Sequence, residues 1–181
     1  MSIFTVNLKN DPPQGFSQIF FGMGCFWGAE RKFWHLNGLF TTAVGYAGGE
    51  SKNPTYDLVC NGNTGHAEVV KVIYDSQIID IENLLKIFWE SHDPTQLNRQ
   101  GNDIGTQYRS IILTENKDDI DLLKISMKKF QKLLNDESLG SIKTEIKILD
   151  KFYLAEDYHQ KYLHKNPNGY CGLKGTGINY F

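Results

Sequence analysis

The sequence predicts an α+β protein in which a small mixed β-sheet is flanked by helices. Segments with the apolar pattern of strands interleave with segments that have the apolar pattern of helices, and no segment is repeated. A length of 181 residues is typical of a single domain with a full core. The 40% hydrophobic and 22% charged composition is that of an ordinary globular protein, which argues against disorder and coiled coil.

Runs or alternations of apolar residues indicate the strands of this sheet. They are predicted at 18–23, 40–47, 66–74, 108–113 and 144–149. The first of them stops at Gly24-Cys25, and a polar loop (51–55) followed by a short turn (56–60) separates the second from the third.

Helices are expected where apolar residues return every three or four positions. They are predicted at 26–36, 81–89, 116–134 and 154–164. Two other stretches have no such pattern. The polar segment 91–107 is unusually long for a loop in a compact domain, and loops of this kind are commonly functional. The Gly-rich segment 166–181 carries Cys171 and is predicted to be an irregular tail.

The chain is expected to form one domain over 1–181, with a turn-rich lead-in at 1–15 and a mobile tail at 165–181. A formal net charge of −2 gives no electrostatic reason for a nucleic acid or an anionic membrane as partner. No apolar run is long enough for a membrane span, and residues 1–20 lack the apolar centre of a signal peptide. We therefore expect a cytoplasmic monomer.

The cysteines do not form a structural framework. There are three of them (Cys25, Cys60 and Cys171), which are too few and too scattered for a disulfide-stabilised secreted domain. None belongs to a CxxC or CxxH pair, so neither a zinc site nor a thioredoxin-like dithiol is expected. In a reducing compartment such thiols are either inert or catalytic.

Cys25 lies in the segment Gly24-Cys25-Phe26-Trp27-Gly28, where the first predicted strand ends and the first helix begins. Free N–H groups and the positive end of the helix dipole favour a thiolate there, which predicts a lowered pKa for Cys25. The flanking glycines allow a sharp turn and the close approach of a substrate. From the residues alone, a buried structural cysteine, with Phe26 and Trp27 in the core, is an equal alternative.

This segment resembles the signature of the A-type peptide methionine sulfoxide reductases, and further motifs of that family follow in the same order. They are VGYAGG (44–49), PTY (54–56), TGHAE (64–68), HDPT (92–95), QGNDIGTQYRS (100–110), DYHQ (157–160), NP (166–167) and GYC (169–171). The resemblance implies an α/β roll with a two-layer sandwich. It also implies reduction of the S-epimer of methionine sulfoxide, free or in proteins, as a repair of oxidative damage.

This reaction sets requirements on the residues. A sulfoxide sulfur is electrophilic but its oxygen leaves poorly, so an attacking thiolate needs proton donors aimed at the oxygen. The resemblance makes Cys25 the nucleophile and Glu68 the acid. It makes Tyr56 and Tyr108 the hydrogen-bond donors to the sulfoxide oxygen, with Asp103 holding the polar network together.

Each of these roles has a structural alternative. Glu68 lies among apolar strand residues, which would raise its pKa if it were buried, but without the resemblance a solvent-facing carboxylate is the favoured interpretation. Tyr56 and Tyr108 could be half-buried packing aromatics. Asp103 could belong to an ordinary Asx-turn. His66, in the same motif as Glu68, is expected to pack or cap and has no proton role.

The resemblance also implies a substrate pocket and a second thiol. Phe26 and Trp27 would enclose the S-methyl group, whose burial contributes about 0.8 kcal/mol. Cys171 would condense with the sulfenic acid formed on Cys25. Cys60 follows two apolar residues and is expected to be a small buried hydrophobe.

The end of the chain departs from part of the family. Some members carry a further cysteine near the C-terminus, and the segment 175–181 has none. We therefore expect the Cys25–Cys171 disulfide to be reduced directly by thioredoxin, as an external reductant, without a bound cofactor or metal.

Two other function classes are considered. A cysteine-dependent hydrolase or transferase would need a histidine beside Cys25. A non-catalytic methionine-binding module would keep the pocket of Phe26 and Trp27 and would still bind after Cys25→Ser. Counting thiols after one turnover without reductant separates the enzymes, because the reductase loses two thiols and the hydrolase loses none.

Overall fold

The computed structural model describes Leu8 and residues 12–181, so most of the predicted lead-in lies outside the described residues. Within them, the strands are Phe16–Met23 (β1), Leu39–Ala47 (β2), Ala67–Asp75 (β3), Arg99–Gln100 (β4), Asp103–Ile104 (β5), Ser110–Thr114 (β6), Glu145–Ile148 (β7) and Phe152–Leu154 (β8). The helices are Phe26–Phe33 (α1), Tyr56–Cys60 (α2), Ile81–Ser91 (α3), Asp119–Asp136 (α4) and Tyr162–Lys165 (α5), and Thr106–Tyr108 forms a 3₁₀ turn.

In the described part of the chain, six strands form a mixed sheet in the order β7-β6-β1-β3-β2-β8. β6 and β7 run parallel, and the other neighbours run antiparallel. The inner strand β1 is buried over most of its length, which explains why its sequence is an apolar run rather than a strict alternation. β3 is equally buried, although it carries Glu68 and Lys71. The prediction of a mixed sheet with flanking helices is confirmed.

The main core lies between this sheet and helices α1, α3 and α4. Phe21 of β1 stacks on Phe33 of α1 with a centroid distance of 5.3 Å and contacts Phe88 of α3 at 5.2 Å. Trp89 of α3 stacks on Phe130 of α4 at 5.4 Å. Phe33, Phe88 and Phe130 belong to the apolar stripes that predict their helices. Among the described residues, no helix combines the length and the apolar character needed to cross a bilayer.

The polar segment 91–107 is held together by its own side chains. The Asp93 carboxylate accepts hydrogen bonds from the Thr95 N–H at 3.0 Å and the Thr95 hydroxyl at 2.6 Å. The Gln100 side chain bonds both the N–H and the carbonyl of Asp93 at 2.9 Å. β4 and β5 pair within this segment as a small separate sheet, which fixes the position of Asp103.

The predicted helix at 154–164 is wrong. β8 instead joins the edge of the sheet beside β2, and within 154–164 only the part from Tyr162, the start of α5, is helical. The Gln160 side chain accepts from the Val44 N–H and donates to the Val44 carbonyl, each at 2.8 Å, and so ties the intervening turn to β2. Lys161 has a left-handed φ of 53°, which no helix can continue through.

A buried ion pair fixes this turn to α1. The Lys161 ammonium group donates to the Glu30 carboxylate at 2.9 Å, and the Lys161 backbone N–H donates to the same carboxylate at 3.0 Å. The ammonium group also donates to the carbonyl and the hydroxyl of Thr42. Glu30 is fully buried, so loss of the lysine charge leaves a carboxylate in the interior without a counter-charge.

Lys161→Met is therefore expected to lower the free energy of unfolding by about 3–5 kcal/mol, measured by urea denaturation. Combining it with Glu30→Gln removes both charges and should recover part of the loss. A single variant that loses less than about 1 kcal/mol, the value of an exposed pair, would contradict this interpretation.

Residues 166–181 form neither helix nor strand, but their far end is anchored. Tyr180 is 1% exposed, its hydroxyl bonds the Ser126 hydroxyl at 2.9 Å, and its N–H donates to the Glu90 carboxylate at 2.7 Å. The segment therefore runs back across α3 and α4, while the mobility predicted for 165–181 stays a prediction.

Candidate active site

Cys25 lies at the predicted junction. β1 ends at Met23, Gly24 turns the chain with a φ of 94°, and Cys25 is the N-cap of α1, where its carbonyl accepts from the Ala29 N–H at 3.3 Å. A side chain at Gly24 would lie 2.7 Å from the Gln100 Cβ, so only glycine fits this turn. Cys25 is half-buried and has a free thiol.

The pKa of the Cys25 thiol is raised, so the predicted lowering is wrong for the unliganded protein. Burial is the largest cause, and the Glu68 carboxylate adds to it. The N–H groups of Trp27 and Gly28 at the start of α1 act in the expected direction, but they are outweighed. Cys25 is therefore a protonated thiol when the site is empty.

Glu68 comes from β3 and lies next to Cys25. Its side chain is 2% exposed, so the solvent-facing alternative is wrong, and its carboxylate accepts from the Phe26 N–H at 3.0 Å. Burial raises the pKa of Glu68 to about 8, with a smaller contribution from Asp103, although the Phe26 hydrogen bond opposes the shift. At neutral pH the site holds a protonated carboxyl group, as the sequence predicts.

The two phenols and Asp103 surround this pair. Burial raises the pKa values of Tyr56 and Tyr108, and the Glu68 carboxylate adds to both shifts, so both phenols keep their protons. Asp103 acts on Cys25 and on Glu68, and it accepts from the Tyr170 hydroxyl at 3.2 Å. The polar residues expected at the site therefore act electrostatically on one another.

The two aromatic residues after Cys25 have different environments. Phe26 is 1% exposed and packs on Tyr46 at a centroid distance of 5.9 Å, so its ring belongs to the core beneath the site. Trp27 is only partly buried. It stacks on Tyr162 of α5 at 3.9 Å and donates from its indole N–H to Nδ1 of His159 at 3.0 Å.

Cys171 lies over the first turn of α1. Its sulfur is 2.8 Å from where a Cβ on Gly28 would be, so the absence of a side chain at Gly28 makes room for it. The neighbouring Tyr170 phenol acts electrostatically with Asp103, Cys25 and Cys171. The tail therefore brings the second thiol to the same helix start as Cys25, and no disulfide is formed.

Cys60 is exposed, so the prediction of a buried cysteine is wrong. It is the last residue of α2, and the preceding Val59 takes the buried position on this short helix, with 1% exposure. Successive residues of a helix point in different directions, which two apolar neighbours in the sequence do not reveal. The Tyr56 phenol and the Cys60 thiol act electrostatically on each other.

His159 and Glu156 are residues near the site to which sequence reasoning gave no role. His159 contacts the rings of Phe26, Trp27 and Tyr56, with centroid distances of 5.0, 5.7 and 4.7 Å. Glu156 accepts from the Tyr56 N–H at 2.9 Å. The DYHQ motif (157–160) points to this region, but a helix over 154–164 does not predict these contacts.

Among the described residues, the other polar groups near the site either have structural roles or do not form a cluster around a common point. The His66 ring accepts from the Gly49 N–H at 3.1 Å and bonds the Ser51 carbonyl at 2.8 Å, which confirms its capping role. In the described residues, no cluster of three or more His, Cys, Asp or Glu side chains could hold a metal ion. His66 and His92 use both ring nitrogens in other hydrogen bonds, and His159 accepts from the Trp27 indole, which disfavours a cysteine–histidine pair.

Cys25 and Cys171 meet at the start of α1, where Glu68 bonds the next backbone N–H, and two thiols so placed are suited to the redox chemistry of a cysteine-dependent oxidoreductase. The family model described as peptide methionine sulfoxide reductase matches residues 17–178. The chain belongs to the peptide methionine sulfoxide reductase family.

Individual relatives agree. Peptide methionine sulfoxide reductase MsrA of Brucella anthropi is 57% identical over 171 residues, which is 94% of this chain and 78% of that protein. Methionine sulfoxide reductase A of Corynebacterium diphtheriae has a similar structure, with a TM-score of 0.84, 44% identity and coverage of 87% of this chain and 78% of that one.

The yeast protein Mxr1 is also similar. Its reduced form from Saccharomyces cerevisiae has a TM-score of 0.79 and 38% identity, and covers 90% of this chain and 92% of its own. Mxr1 has also been crystallised in complex with Trx2; that chain, at 24% identity and a TM-score of 0.57, covers 87% of this chain and 92% of its own and shares the fold.

Proposed function

We propose that this chain reduces the S-epimer of methionine sulfoxide, free or within proteins, to methionine and so repairs oxidised proteins. Membership of the family supports the reaction. The observation that carries the assignment of the site is the 3.0 Å hydrogen bond from the Phe26 N–H to Glu68. It holds a buried, protonated acid against the residue that follows Cys25.

The first step transfers the sulfoxide oxygen to Cys25. The Cys25 sulfur bonds to the sulfoxide sulfur as its thiol loses a proton, and Glu68 gives its proton to the sulfoxide oxygen. The sulfur–oxygen bond of the substrate then breaks and the hydroxyl oxygen bonds to the Cys25 sulfur, while the bond between the two sulfurs breaks, so methionine leaves and Cys25 holds a sulfenic acid. The substrate gains two electrons and Cys25 loses two, while the proton lost by Cys25 restores Glu68.

The raised pKa of Cys25 fits a nucleophile that ionises only when substrate is bound. A sulfoxide sulfur carries partial positive charge, and a positive charge beside a thiol favours the thiolate. Tyr56 and Tyr108 would strengthen that polarisation by donating hydrogen bonds to the sulfoxide oxygen, and Asp103 would hold the polar network together. Because the thiolate is the reactive form, the empty site is protected from unspecific oxidation.

Trp27 would border the S-methyl group of the substrate, and Phe26 would lie behind Trp27 as the floor of the pocket. Trp27 is partly exposed and can border a ligand, whereas Phe26 contributes the apolar floor behind it. Such a slot favours a methyl group over larger substituents, because a longer chain would have to displace close-packed rings.

Cys171 would complete the cycle inside the protein. Its thiol attacks the Cys25 sulfenic acid, a sulfur–sulfur bond forms, and the oxygen leaves as water. The place of Cys171 over Gly28, in the same helix turn that carries Cys25 as its N-cap, supports this pairing. Cys60, the exposed last residue of α2, has no such position.

Gly28→Ala is expected to slow formation of the Cys25–Cys171 disulfide by about tenfold or more, because the new methyl group would displace the Cys171 sulfur. Methionine formation in the first turnover should change little, since alanine also favours helix α1. Rapid acid quenching followed by peptide mass spectrometry measures both steps. An unchanged rate of disulfide formation would contradict the proposed seat of Cys171.

We propose thioredoxin as the external reductant of this disulfide. Its two thiols would be oxidised to a disulfide as Cys25 and Cys171 return to thiols. The complex of the yeast relative Mxr1 with Trx2 supports this choice of partner. The proposed reaction uses no bound cofactor. The cytoplasmic location and the monomeric state remain predictions from the sequence.

The proposal is tested by a thioredoxin-coupled assay on each resolved epimer of a blocked methionine sulfoxide. Turnover with the S-epimer and none with the R-epimer is expected. Turnover of the R-epimer alone, or product release without loss of enzyme thiols in the absence of reductant, would contradict the proposed reaction.

A further inference from the structure

His159 is a buried titratable residue that the proposed reaction does not use. It lies in the turn between β8 and α5 and is 1% exposed. Its ring packs against the rings of Phe26, Tyr56 and Tyr158, with centroid distances of 5.0, 4.7 and 4.0 Å. A histidine that aromatic rings enclose beside the site is expected to have a role other than proton transfer to the substrate.

The two nitrogens of this ring have different surroundings. Nδ1 accepts the hydrogen bond of the Trp27 indole N–H at 3.0 Å. Because Nδ1 is the acceptor, the neutral ring must carry its proton on Nε2. Nε2 is buried without a hydrogen-bond partner among the described residues, and the Glu156 carboxylate lies 3.8 Å from it. The Trp27 contact therefore decides the tautomer.

Burial keeps the His159 ring neutral although a carboxylate lies beside it. Glu156 is held on the Nε2 side by the Tyr46 hydroxyl at 2.8 Å and the Tyr56 N–H at 2.9 Å. Burial lowers the pKa of His159 more than Glu156 raises it, and Lys165 also lowers it. His159 is therefore neutral near pH 7, with Nδ1 free to accept.

The Trp27 indole depends on two contacts. It stacks on Tyr162 with an interplanar angle of 14°. Stacking fixes the plane of the ring, but it leaves rotation and sliding within that plane. The hydrogen bond to His159 restricts both, because it requires the indole N–H to point at one buried atom.

We propose that His159 is a positioning residue that holds the Trp27 indole as a wall of the sulfoxide pocket, and that it thereby sets the affinity for methyl sulfoxides and the preference for them over bulkier sulfoxides. The inference rests on the proposed role of Trp27 in binding the substrate. His159 acts through that indole, without touching the reacting atoms.

Two variants separate the hydrogen bond from the packing of the ring. His159→Phe keeps an aromatic ring and removes the acceptor. His159→Asn keeps an acceptor, since the Asn Oδ1 takes a position close to that of Nδ1, and removes the ring. Unfolding temperatures check both proteins, and His159→Leu replaces His159→Phe if that variant does not fold.

Single-turnover formation of the reduced thioether is measured against the concentration of blocked methionine sulfoxide and, separately, of its S-ethyl analogue. His159→Phe is expected to raise the half-saturating concentration of the methyl sulfoxide about three- to tenfold, the effect of one hydrogen bond. Its maximal rate should stay within about twofold, and its methyl-over-ethyl preference should fall. His159→Asn should retain both properties of the wild type.

The Trp27 indole N–H resonance in ¹⁵N spectra, assigned by Trp27→Phe, should move in His159→Phe and move much less in His159→Asn. Equal losses of affinity and of methyl-over-ethyl preference in both variants, or no loss in His159→Phe, would overturn the proposal. Trp27→Ala distinguishes a failure of the proposed substrate pocket from a failure of the role proposed for His159. If Trp27→Ala leaves the half-saturating concentration unchanged, the proposed pocket is wrong. If Trp27→Ala raises this concentration and His159→Phe does not, only the proposed role of His159 is wrong.

Discussion

Cys25→Ser is expected to abolish methionine formation from methionine sulfoxide, down to the level of buffer alone. A serine hydroxyl is a far weaker nucleophile than a thiolate, and only a sulfur can hold the sulfenic acid on which the cycle depends. The loss is not expected to come from unfolding, because Cys25 is half-buried and serine keeps its shape. Chromatographic measurement of methionine after incubation with the S-epimer tests this.

Cys60→Ser is the matched control, because it makes the same substitution at another free thiol near the site. Cys60 is exposed, and serine differs from cysteine only in the replacement of sulfur by oxygen. Activity within about twofold of the wild type is expected, as for most surface substitutions. Turnover that survives Cys25→Ser but is lost in Cys60→Ser would transfer the role of nucleophile to Cys60.

Glu68→Gln is expected to slow sulfenic acid formation by about 10²–10⁴-fold, the usual contribution of a general acid. Glutamine has nearly the same shape, and its amide oxygen can still accept from the Phe26 N–H, so the fold should be kept. What it lacks is a proton that can be given to the sulfoxide oxygen. The single-turnover rate of methionine formation measures the effect.

The pH dependence of that rate tests the same role. Burial raises the pKa of Glu68 to about 8, so the carboxyl group is protonated below that pH and ionised above it. Proton donation should therefore decline as the pH rises through about 8, by up to tenfold per pH unit. This decline should be missing in Glu68→Gln. An effect of the substitution below about threefold, or an unchanged decline, would assign the acid elsewhere.

The parts of the fold that could be predicted are those whose signals are local in the sequence. The apolar stripe of α4 and the buried run of β1 each fit within one element, and Gly24 marks the junction between β1 and α1. Glu68 could be placed among apolar strand residues for the same reason. The motifs that resemble the family supplied the roles, which no local pattern gives.

The parts that failed depend on contacts between distant segments. The Cys25 thiol has a raised pKa because the fold buries it and because β3 brings Glu68 beside it. The segment before α5 is not helical because Gln160 and Lys161 bond to β2 and α1. Cys60 is exposed because Val59 occupies the buried side of α2. None of these pairings leaves a periodic pattern in the chain.

The most direct test of the central claim, that the Cys25 sulfur takes the oxygen of the sulfoxide, uses the Cys171→Ser protein without reductant. The protein is mixed with the S-epimer and with dimedone, which traps sulfenic acids, and methionine and the labelled peptides are quantified together. One adduct on Cys25 for each methionine formed, with none on Cys60 and none from the R-epimer, is the predicted result. Methionine released while Cys25 stays an unmodified thiol would contradict it.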